Sequence, residues 1–177
     1  MKTMTNTWLP KLDTLSMVTL GMLMALQLVL SRFSVGSNLI KVSFTFLIVA
    51  LIAKWYGPWW GMMTAVVVDV VGTLISGGPY FVGFTVSAVL GSLTYALFLY
   101  GKPVTWVRVI LASVVIAVVV NAILNTWWVT IMYHTPFWSL LPARVIKQLI
   151  VTPLQIVLVY WLLNSQMIKM VQARLKG

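Results

Sequence analysis

The sequence predicts an all-α integral membrane protein with six transmembrane helices. Of its 177 residues, 61% are hydrophobic and only 8% are charged, whereas soluble domains carry roughly 25% charged residues. Six stretches approach the length of about 20 apolar residues with which a helix crosses a bilayer. Short connections, most of them containing Gly and Pro, separate these stretches, as expected where helices turn back at a membrane surface.

The spans follow one another with little chain between them. Tyr56-Gly57-Pro58, Gly77-Gly78-Pro79 and Gly101-Lys102-Pro103 break the chain after the second, third and fourth spans. The fifth and sixth stretches are longer than one crossing requires, so we expect each to be tilted or interrupted, the sixth at Pro153. The predicted spans are residues 15–33, 39–55, 59–76, 82–100, 105–133 and 138–166.

The basic residues predict the orientation. Six spans put both termini on one side, together with Lys2, Lys11, Lys54, Lys102, Arg108, Lys169, Arg174 and Lys176. Only Arg32, Lys41, Arg144 and Lys147 fall at the opposite end, which we call the outer end. The positive-inside rule therefore predicts cytoplasmic termini. We expect a single membrane domain over residues 1–177, with a cytoplasmic N-terminal segment at 1–14 and a basic cytoplasmic tail at 167–177.

The composition argues against several classes of function. The chain has no Cys, two acidic residues and one His, which leaves too few groups for a metal centre or a hydrolytic site. We therefore expect no catalytic residues, no metal and no cofactor. Membrane topology explains the net charge of +10 better than a nucleic-acid groove does. The G-x-x-x-x-G-K-[ST] motif of phosphate-binding loops is absent, so the chain cannot bind and hydrolyse ATP by that route.

Several polar residues reach a similar depth in the outer half of the predicted bundle. Helix rise places Asp69, Asn121 and Asn125 near the layer of a group on the sixth span, where Arg144, Lys147 and Gln148 share one face. A cation inside a membrane needs water, a counter-ion or a ligand. Four outer cations and one carboxylate leave a surplus of +3, which favours an anionic ligand. Alternatively, Asp69 pairs with Arg144 or Lys147, and the two amides only join helices.

Two further sets of residues allow two interpretations. Aromatic residues near the outer end, among them Phe33, Tyr80, Phe84 and Trp128, could stack on a planar ligand or belong to an interfacial belt. On the first span, Gly21 and Ala25 form a small-x-x-x-small pair. Such a pair permits close helix approach, either within the bundle or to another membrane protein.

Four motifs carry a resemblance to a known family. They are Asp69-Val70-Val71-Gly72, the run from Gly78 to Thr85 (GPYFVGFT), Leu124-Asn125-Thr126 and the run from Leu141 to Gln148 (LPARVIKQ). With them the chain resembles the folate-specific S components, the substrate-binding subunits of energy-coupling factor (ECF) transporters. The resemblance extends from the first helix to the sixth.

The resemblance implies a subunit of a prokaryotic plasma-membrane importer that captures extracellular folate. It implies an S-component-like bundle that works with a membrane coupling (T) protein and two cytoplasmic ATPases. In this family a small-residue motif on the first helix contacts the coupling protein, and Gly21 and Ala25 stand in its place. The cations would bind the glutamate tail or the pterin edge, Asp69 and Asn125 would bind pterin N–H groups, and aromatic rings would stack. The candidate folate-binding residues are Arg32, Phe33, Asn38, Lys41, Asp69, Tyr80, Phe84, Asn121, Asn125, Trp128, Arg144, Lys147 and Gln148.

Other functions stay open at this point. An S component could instead carry riboflavin, thiamine, a pyrimidine precursor or a queuosine-type base. A small membrane enzyme could use Arg144 and Lys147 to bind lipid phosphates, although the chain offers no nucleophile or carboxylate cluster. An autonomous channel or secondary carrier would transport without partners.

Overall fold

Helices make up almost all of the described chain. The computed structural model describes residues 12–33 and 43–176, with side chains through Arg174, and these ranges contain no strand. Five of the described helical stretches are long and apolar enough to cross a membrane. The helices are α1 (Thr14–Arg32), α2 (Thr45–Ser76), α3 (Val82–Leu99), α4 (Trp106–Val115), a π-helical segment (Ile116–Leu124), α5 (Asn125–Tyr133), α6 (Phe137–Asn164) and α7 (Gln166–Lys176).

Helix α2 consists of two arms that fold back on each other at Gly57. Gly57 has φ +80°, which favours glycine, and Pro58 follows as a suitable first residue for a new helix. In a straight helix Ala53 and Gly61 would stand about 12 Å apart along the axis. Instead, a Cβ on Gly61 would lie 3.7 Å from the Ala53 Cα. The predicted second and third spans are therefore both present, which brings the number of membrane segments to six.

The fifth span is continuous but changes its helical type. It begins as α4, continues as nine residues of π-helix from Ile116 to Leu124, and ends as α5. A π-helix bonds each residue to the fifth one along, so it turns more slowly than an α-helix and shifts the side chains that follow. The span is therefore not interrupted, and its expected tilt stays a prediction.

The sixth span differs from the prediction. Helix α6 runs through Pro142 and Pro153 without ending, so the expected interruption at Pro153 is wrong. The break comes at Ser165, whose extended backbone (ψ 138°) separates α6 from α7. The tail was expected at residues 167–177, and α7 (Gln166–Lys176) covers almost all of it. The second span was expected to begin at Leu39, but α2 begins at Thr45, after Ser43 and Phe44, which are not helical; residues 39–42 are outside the described ranges. The other boundaries lie within one residue of the prediction.

The most tightly packed part of the bundle lies toward the inner end, opposite the outer end. Leu99, Val109 and Val159 are fully buried there. The Tyr56 hydroxyl donates to the Ser16 carbonyl at 3.0 Å, which ties α2 to α1. The Lys54 ammonium donates to the Leu99 carbonyl at 3.0 Å and also to that of Lys102. These contacts close the inner end around the turn that follows α3.

Candidate functional site

A cavity of about 580 Å³ opens in the outer half of the bundle. Side chains from α1, both arms of α2, α3, the fifth span and α6 line it. This volume lies within the range of roughly 300–1,000 Å³ that is usual for small-molecule sites. A chamber between the helices is therefore present at the depth where the sequence predicts the polar layer.

Two helix faces form nearly half of the wall. Residues spaced by three and four along a helix share a face, and the lining residues of the second α2 arm and of α3 follow this spacing. Small side chains on both faces leave room between the helices, while Asp69 and Phe84 project from them. The two faces consist of Ala65, Val68, Asp69, Gly72, Thr73 and Ser76 on α2, and Phe84, Ser87, Ala88, Gly91, Ser92 and Tyr95 on α3.

A chain of hydrogen bonds orients the only carboxylate that lines the cavity. The Thr85 hydroxyl donates to Asp69 Oδ2 at 2.6 Å. Because the Thr85 proton is used in this way, the Tyr80 hydroxyl, at 2.8 Å, donates to Thr85 Oγ1. Tyr80 itself is 46% exposed at the outer rim. Thr85 thus connects Asp69 and Tyr80, both of which are candidate residues from the sequence, and it holds the carboxylate in one position.

The π-helical segment and the first residue of α5 place two amides in the wall. Asn125 Nδ2 donates to Asn121 Oδ1 at 3.2 Å, and both residues line the cavity. Asn125 Oδ1 is buried and has no hydrogen-bond partner among the described residues. An unpaired buried acceptor costs free energy, roughly 1–3 kcal/mol. This oxygen can therefore accept a hydrogen bond from a ligand donor at little further cost.

Helix α6 contributes two of its three predicted residues to the cavity. Lys147 and Gln148 line it, whereas Arg144, one turn closer to the outer end, is half-buried and does not. No hydrogen bond or ion pair joins Asp69 to Arg144 or Lys147 in the described part of the chain. The alternative in which Asp69 neutralises one of these cations in an ion pair is therefore wrong. The Lys147 ammonium can pair with an anionic ligand.

Four other predicted residues lie away from the cavity or outside the described ranges. Arg32 and Phe33 end α1 on the exposed surface, Phe33 with 67% of its area accessible, and neither lines the cavity. Asn38 and Lys41 fall outside the described residues. The structure thus does not bring Arg32 and Phe33 together with the group around Asp69.

Trp128 packs against α3 instead of lining the cavity. Its indole N–H donates to Ser87 Oγ at 3.1 Å, and its ring lies 5.9 Å from that of Phe81. Gly83 makes this approach possible, because a Cβ at that position would stand 2.5 Å from the indole. Trp128 therefore fixes the fifth span against α3, and Phe84 is the predicted aromatic residue that faces the chamber.

Gly21 and Ala25 both lie on the exposed side of α1. A Cβ on Gly21 would have no atom within 4 Å. Large exposed side chains surround the pair, including Met22 and Leu26. The alternative of internal packing is therefore wrong for the described bundle, and the pair is free to face another membrane helix.

The sequence interpretation missed several polar residues of the lining. Gln27 and Ser31 of α1 reach the cavity one turn apart, and Gln155 of α6 lies on its floor. Gln155 Nε2 donates to the Tyr95 hydroxyl, and both residues are almost fully buried. A signal was available, since Gln148, Thr152 and Gln155 are spaced i, i+4, i+7 on one face of an otherwise apolar helix. Thr85 also stood within the quoted GPYFVGFT run.

The lining offers hydrogen-bond acceptors, donors and a cation within one chamber. Asp69 and Asn125 accept, Lys147 and Gln148 donate, and Phe84 adds an aromatic face. The described residues contain no group of three His, Cys, Asp or Glu side chains that could hold a metal ion. The arrangement suits an organic ligand that has both N–H donors and a negative charge.

Comparisons with known proteins agree on one family. The family model of the ECF transporter substrate-specific component matches residues 15–163. A folate transporter FolT from Leuconostoc mesenteroides subsp. mesenteroides is 46% identical over 95% of each chain. Another FolT, from Clostridium novyi, is 34% identical over 81% of this chain and 85% of its own.

Solved structures share the architecture. A crystal structure of FolT bound with folic acid superimposes with a TM-score of 0.80 at 38% identity, covering 85% of this chain and 93% of the other. The S component of a bacterial ECF transporter, 22% identical, has the same fold with a TM-score of 0.57 over 84% of this chain and 95% of its own. The chain belongs to the substrate-specific components of the ECF transporters.

Proposed function

We propose that this chain is the membrane-embedded subunit that captures extracellular folate for an ATP-driven ECF importer. A relative named as a folate transporter is 46% identical, and a FolT bound with folic acid shares the fold. The chain carries no phosphate-binding loop, so it depends on a membrane coupling protein and ATPase subunits for energy. It is a transport subunit in a bacterial plasma membrane rather than an enzyme.

One observation carries the choice of ligand. The cavity combines an unpaired buried acceptor, Asn125 Oδ1, with the oriented carboxylate of Asp69 and the ammonium of Lys147. Folate has matching groups, because its pterin presents amino and ring N–H donors and its glutamate tail presents two carboxylates. A neutral base would leave Lys147 without a counter-ion, and a cationic vitamin would be repelled by it.

The binding mode follows from the position of these groups. Asp69 and Asn125 accept from the pterin, Phe84 packs against an aromatic ring, and Lys147 with Gln148 donates to a carboxylate or to the polar pterin edge. Charge-assisted hydrogen bonds in a site with little water are the strongest of these. Arg144, half-buried one turn nearer the outer end, attracts the anionic tail without forming the wall.

Delivery requires a second surface. Gly21 and Ala25 leave a shallow strip on the exposed side of α1, where a helix of the coupling protein can approach closely. Gly21→Leu fills this strip without reaching the cavity. We expect it to preserve folate binding by the purified subunit and to abolish uptake by the assembled transporter, whereas uptake at the normal rate would contradict docking at Gly21.

Folate titration of purified variants tests the ligand. Lys147→Ala removes the cavity-lining cation, and we expect affinity to fall at least about tenfold, since a hydrogen bond to a charged group contributes roughly 1.5–3 kcal/mol. Arg108→Ala removes a cation at the inner end, where Arg108 donates to the Pro103 carbonyl at 3.2 Å. This control should bind as the unmodified protein does. Equal affinities for all three proteins would refute the proposed site.

A further inference from the structure

The C-terminal helix α7 has a role that folate capture leaves unexplained. It begins at Gln166, after Ser165 turns the chain away from the α6 axis, and it runs to Lys176. Ile168 packs against the hydrophobic core and so holds the start of α7 against the bundle. The remaining apolar side chains of its first two turns lie outside that core.

Helix α7 is amphipathic. Met167, Met170 and Val171, spaced i, i+3 and i+4, share one side and are 72%, 61% and 40% exposed. At 3.6 residues per turn, Lys169 and Gln172 project from the opposite half. Arg174 lies one turn beyond Met170 and Val171, where a long side chain can extend from an apolar face to reach polar groups. The helix thus has an apolar strip with one cation, Arg174, beyond its end and another, Lys169, on the polar side.

The chain does not supply the counter-ions for these cations. Helix α7 carries Lys169, Arg174 and Lys176 and no acidic residue. The whole sequence has two acids, Asp13 and Asp69, and Asp69 faces the outer cavity. Lys169 Nζ donates to Asn164 Oδ1 at 2.5 Å, which fixes its position but leaves its charge uncompensated. Asp13 lies at the start of α1, at the same end of the bundle, but no ion pair joins it to Lys169 or Arg174 among the described residues. The compensating negative charge must therefore come from outside the described part of the chain.

The position of α7 identifies the source of that charge. Trp161, one turn before the end of α6, is 74% exposed, and the rings of Trp106 and Tyr160 stack at 3.8 Å beside it. Exposed Trp and Tyr residues at the end of a spanning helix mark the level of the lipid headgroups. Helix α7 therefore starts at the depth where an apolar face enters the acyl boundary and cations meet phosphates.

We propose that α7 lies on the membrane surface and binds anionic phospholipid headgroups through Lys169 and Arg174, with Met167, Met170 and Val171 inserted among the acyl chains. A cation near an anionic membrane surface favours binding about fivefold. The helix anchors the end of α6 at the inner membrane surface, independently of whether the cavity holds folate.

The absence of cysteine makes a direct test possible. Met170→Cys and Gln172→Cys place a single nitroxide label on the apolar and on the polar side of α7. The full-length protein is reconstituted in nanodiscs of phosphatidylcholine alone or of phosphatidylcholine with phosphatidylglycerol. Collision rates with oxygen, which partitions into lipid, and with a water-soluble nickel chelate then report the depth of each label. Nanodiscs expose both faces, so the result does not depend on orientation.

We expect the label at position 170 to be oxygen-accessible and protected from nickel in anionic nanodiscs, and the label at 172 to show the reverse. Protection at 170 should decrease in phosphatidylcholine alone. The double variant Lys169→Gln and Arg174→Gln should lower the ratio of bound to detached helix roughly 25-fold in anionic nanodiscs. The two labels report lipid contact whether or not these variants alter stability.

Three outcomes would overturn the proposal. The first is equal exposure of the two labels to nickel in anionic nanodiscs. The second is a depth at 170 that is the same with and without phosphatidylglycerol. The third is protection that develops only after the coupling protein and ATPases are added, which would make α7 a protein-docking helix.

Discussion

The outer and inner halves of the bundle use polar side chains in opposite ways. In the inner half, the Tyr56 hydroxyl and the Lys54 ammonium donate to backbone carbonyls of Ser16 and Leu99. In the outer half, Asn125 Oδ1 is buried without a partner, and Lys147 faces a chamber of about 580 Å³. Polar groups close one end of the bundle, while at the other end they remain available to a ligand.

The difference separates stability from binding. In the inner half, Tyr56 and Lys54 form hydrogen bonds within the chain, although Trp55 Nε1 and Ser113 Oγ are buried without a hydrogen-bond partner among the described residues. None of these four residues lines the cavity, so changes in this half should lower the free energy of unfolding and leave ligand affinity unaltered. The cavity wall presents the Asp69 carboxylate, the unpaired Asn125 Oδ1 and the Lys147 ammonium to the chamber, so changes to these residues should act on affinity. Pairs of matched variants, compared between the two halves, test whether stability and ligand affinity are separated in this way.

The largest effect is expected from Leu99→Ala at the inner end. Leu99 is fully buried, and its truncation leaves a cavity that the neighbouring helices cannot fill, at a cost on the order of 2–5 kcal/mol. Leu97→Ala is the matched control, because Leu97 lies on the same helix and is 58% exposed. Thermal unfolding in detergent should show a large loss of stability for Leu99→Ala and not for Leu97→Ala. Folate affinity should be unchanged below the unfolding transition. Reduced folate affinity in the folded variant would contradict the separation of stability from binding.

The two acidic residues of the sequence provide the next test. Asp69→Asn keeps the shape of the side chain and an oxygen that can accept from Thr85, but it removes the charge that strengthens a bond to pterin N–H groups. We expect folate affinity to fall by about 1.5–3 kcal/mol, or roughly 10- to 150-fold. Asp13→Asn, at the exposed start of α1, should leave folate affinity unchanged. The titrations would contradict the outer site if both variants bound folate equally well.

Much of the fold and part of the cavity could be predicted because both follow from helical periodicity. The apolar runs placed the spans, and helix rise brought Asp69, Asn125 and Lys147 to one depth, as the lining confirms. Periodicity could not show that Arg32 and Phe33 end on the exposed surface, since a terminal residue has no fixed direction. Nor could it show that α6 continues past Pro153, because neighbouring helices decide whether a freed carbonyl is tolerated.

Pairwise contacts were the other limit. The hydrogen bond from Thr85 to Asp69 joins α3 to α2, and it depends on the rotamer of each side chain. The spacing of the two residues in the sequence does not predict these rotamers. Likewise, Trp128 reaches Ser87 only because Gly83 allows the approach. The sequence therefore indicated the layer in which a ligand would bind. Which side chains line the cavity and which pack against other helices could be seen only in the structure.

A smaller effect on affinity is expected from the amides. Asn125→Ala removes the unpaired acceptor in the cavity wall, and we expect a loss of about 0.5–1.5 kcal/mol, or roughly 2- to 12-fold, in folate affinity. Its matched control is Asn164→Ala at the inner end, where Asn164 accepts a hydrogen bond from Lys169. A loss of folate affinity in Asn125→Ala alone would support the assignment of binding to the outer half. An affinity for Asn125→Ala equal to that of the control would show that Asn125 Oδ1 does not contact the ligand.

The smallest expected effect concerns the cavity floor, where the two halves meet. Tyr95→Phe deprives Gln155 Nε2 of its acceptor in a buried position. We expect the free energy of unfolding to fall by about 1 kcal/mol, the low end for an unsatisfied buried donor, because Gln155 lines the cavity and can bind water there. Tyr160→Phe keeps the ring that stacks on Trp106 and should be neutral. Folate affinity should change less than about threefold in both, because the bond joins α3 to α6 within the protein. A loss of affinity without a loss of stability would assign Tyr95 to the binding site and move the boundary between the halves one helical turn inward.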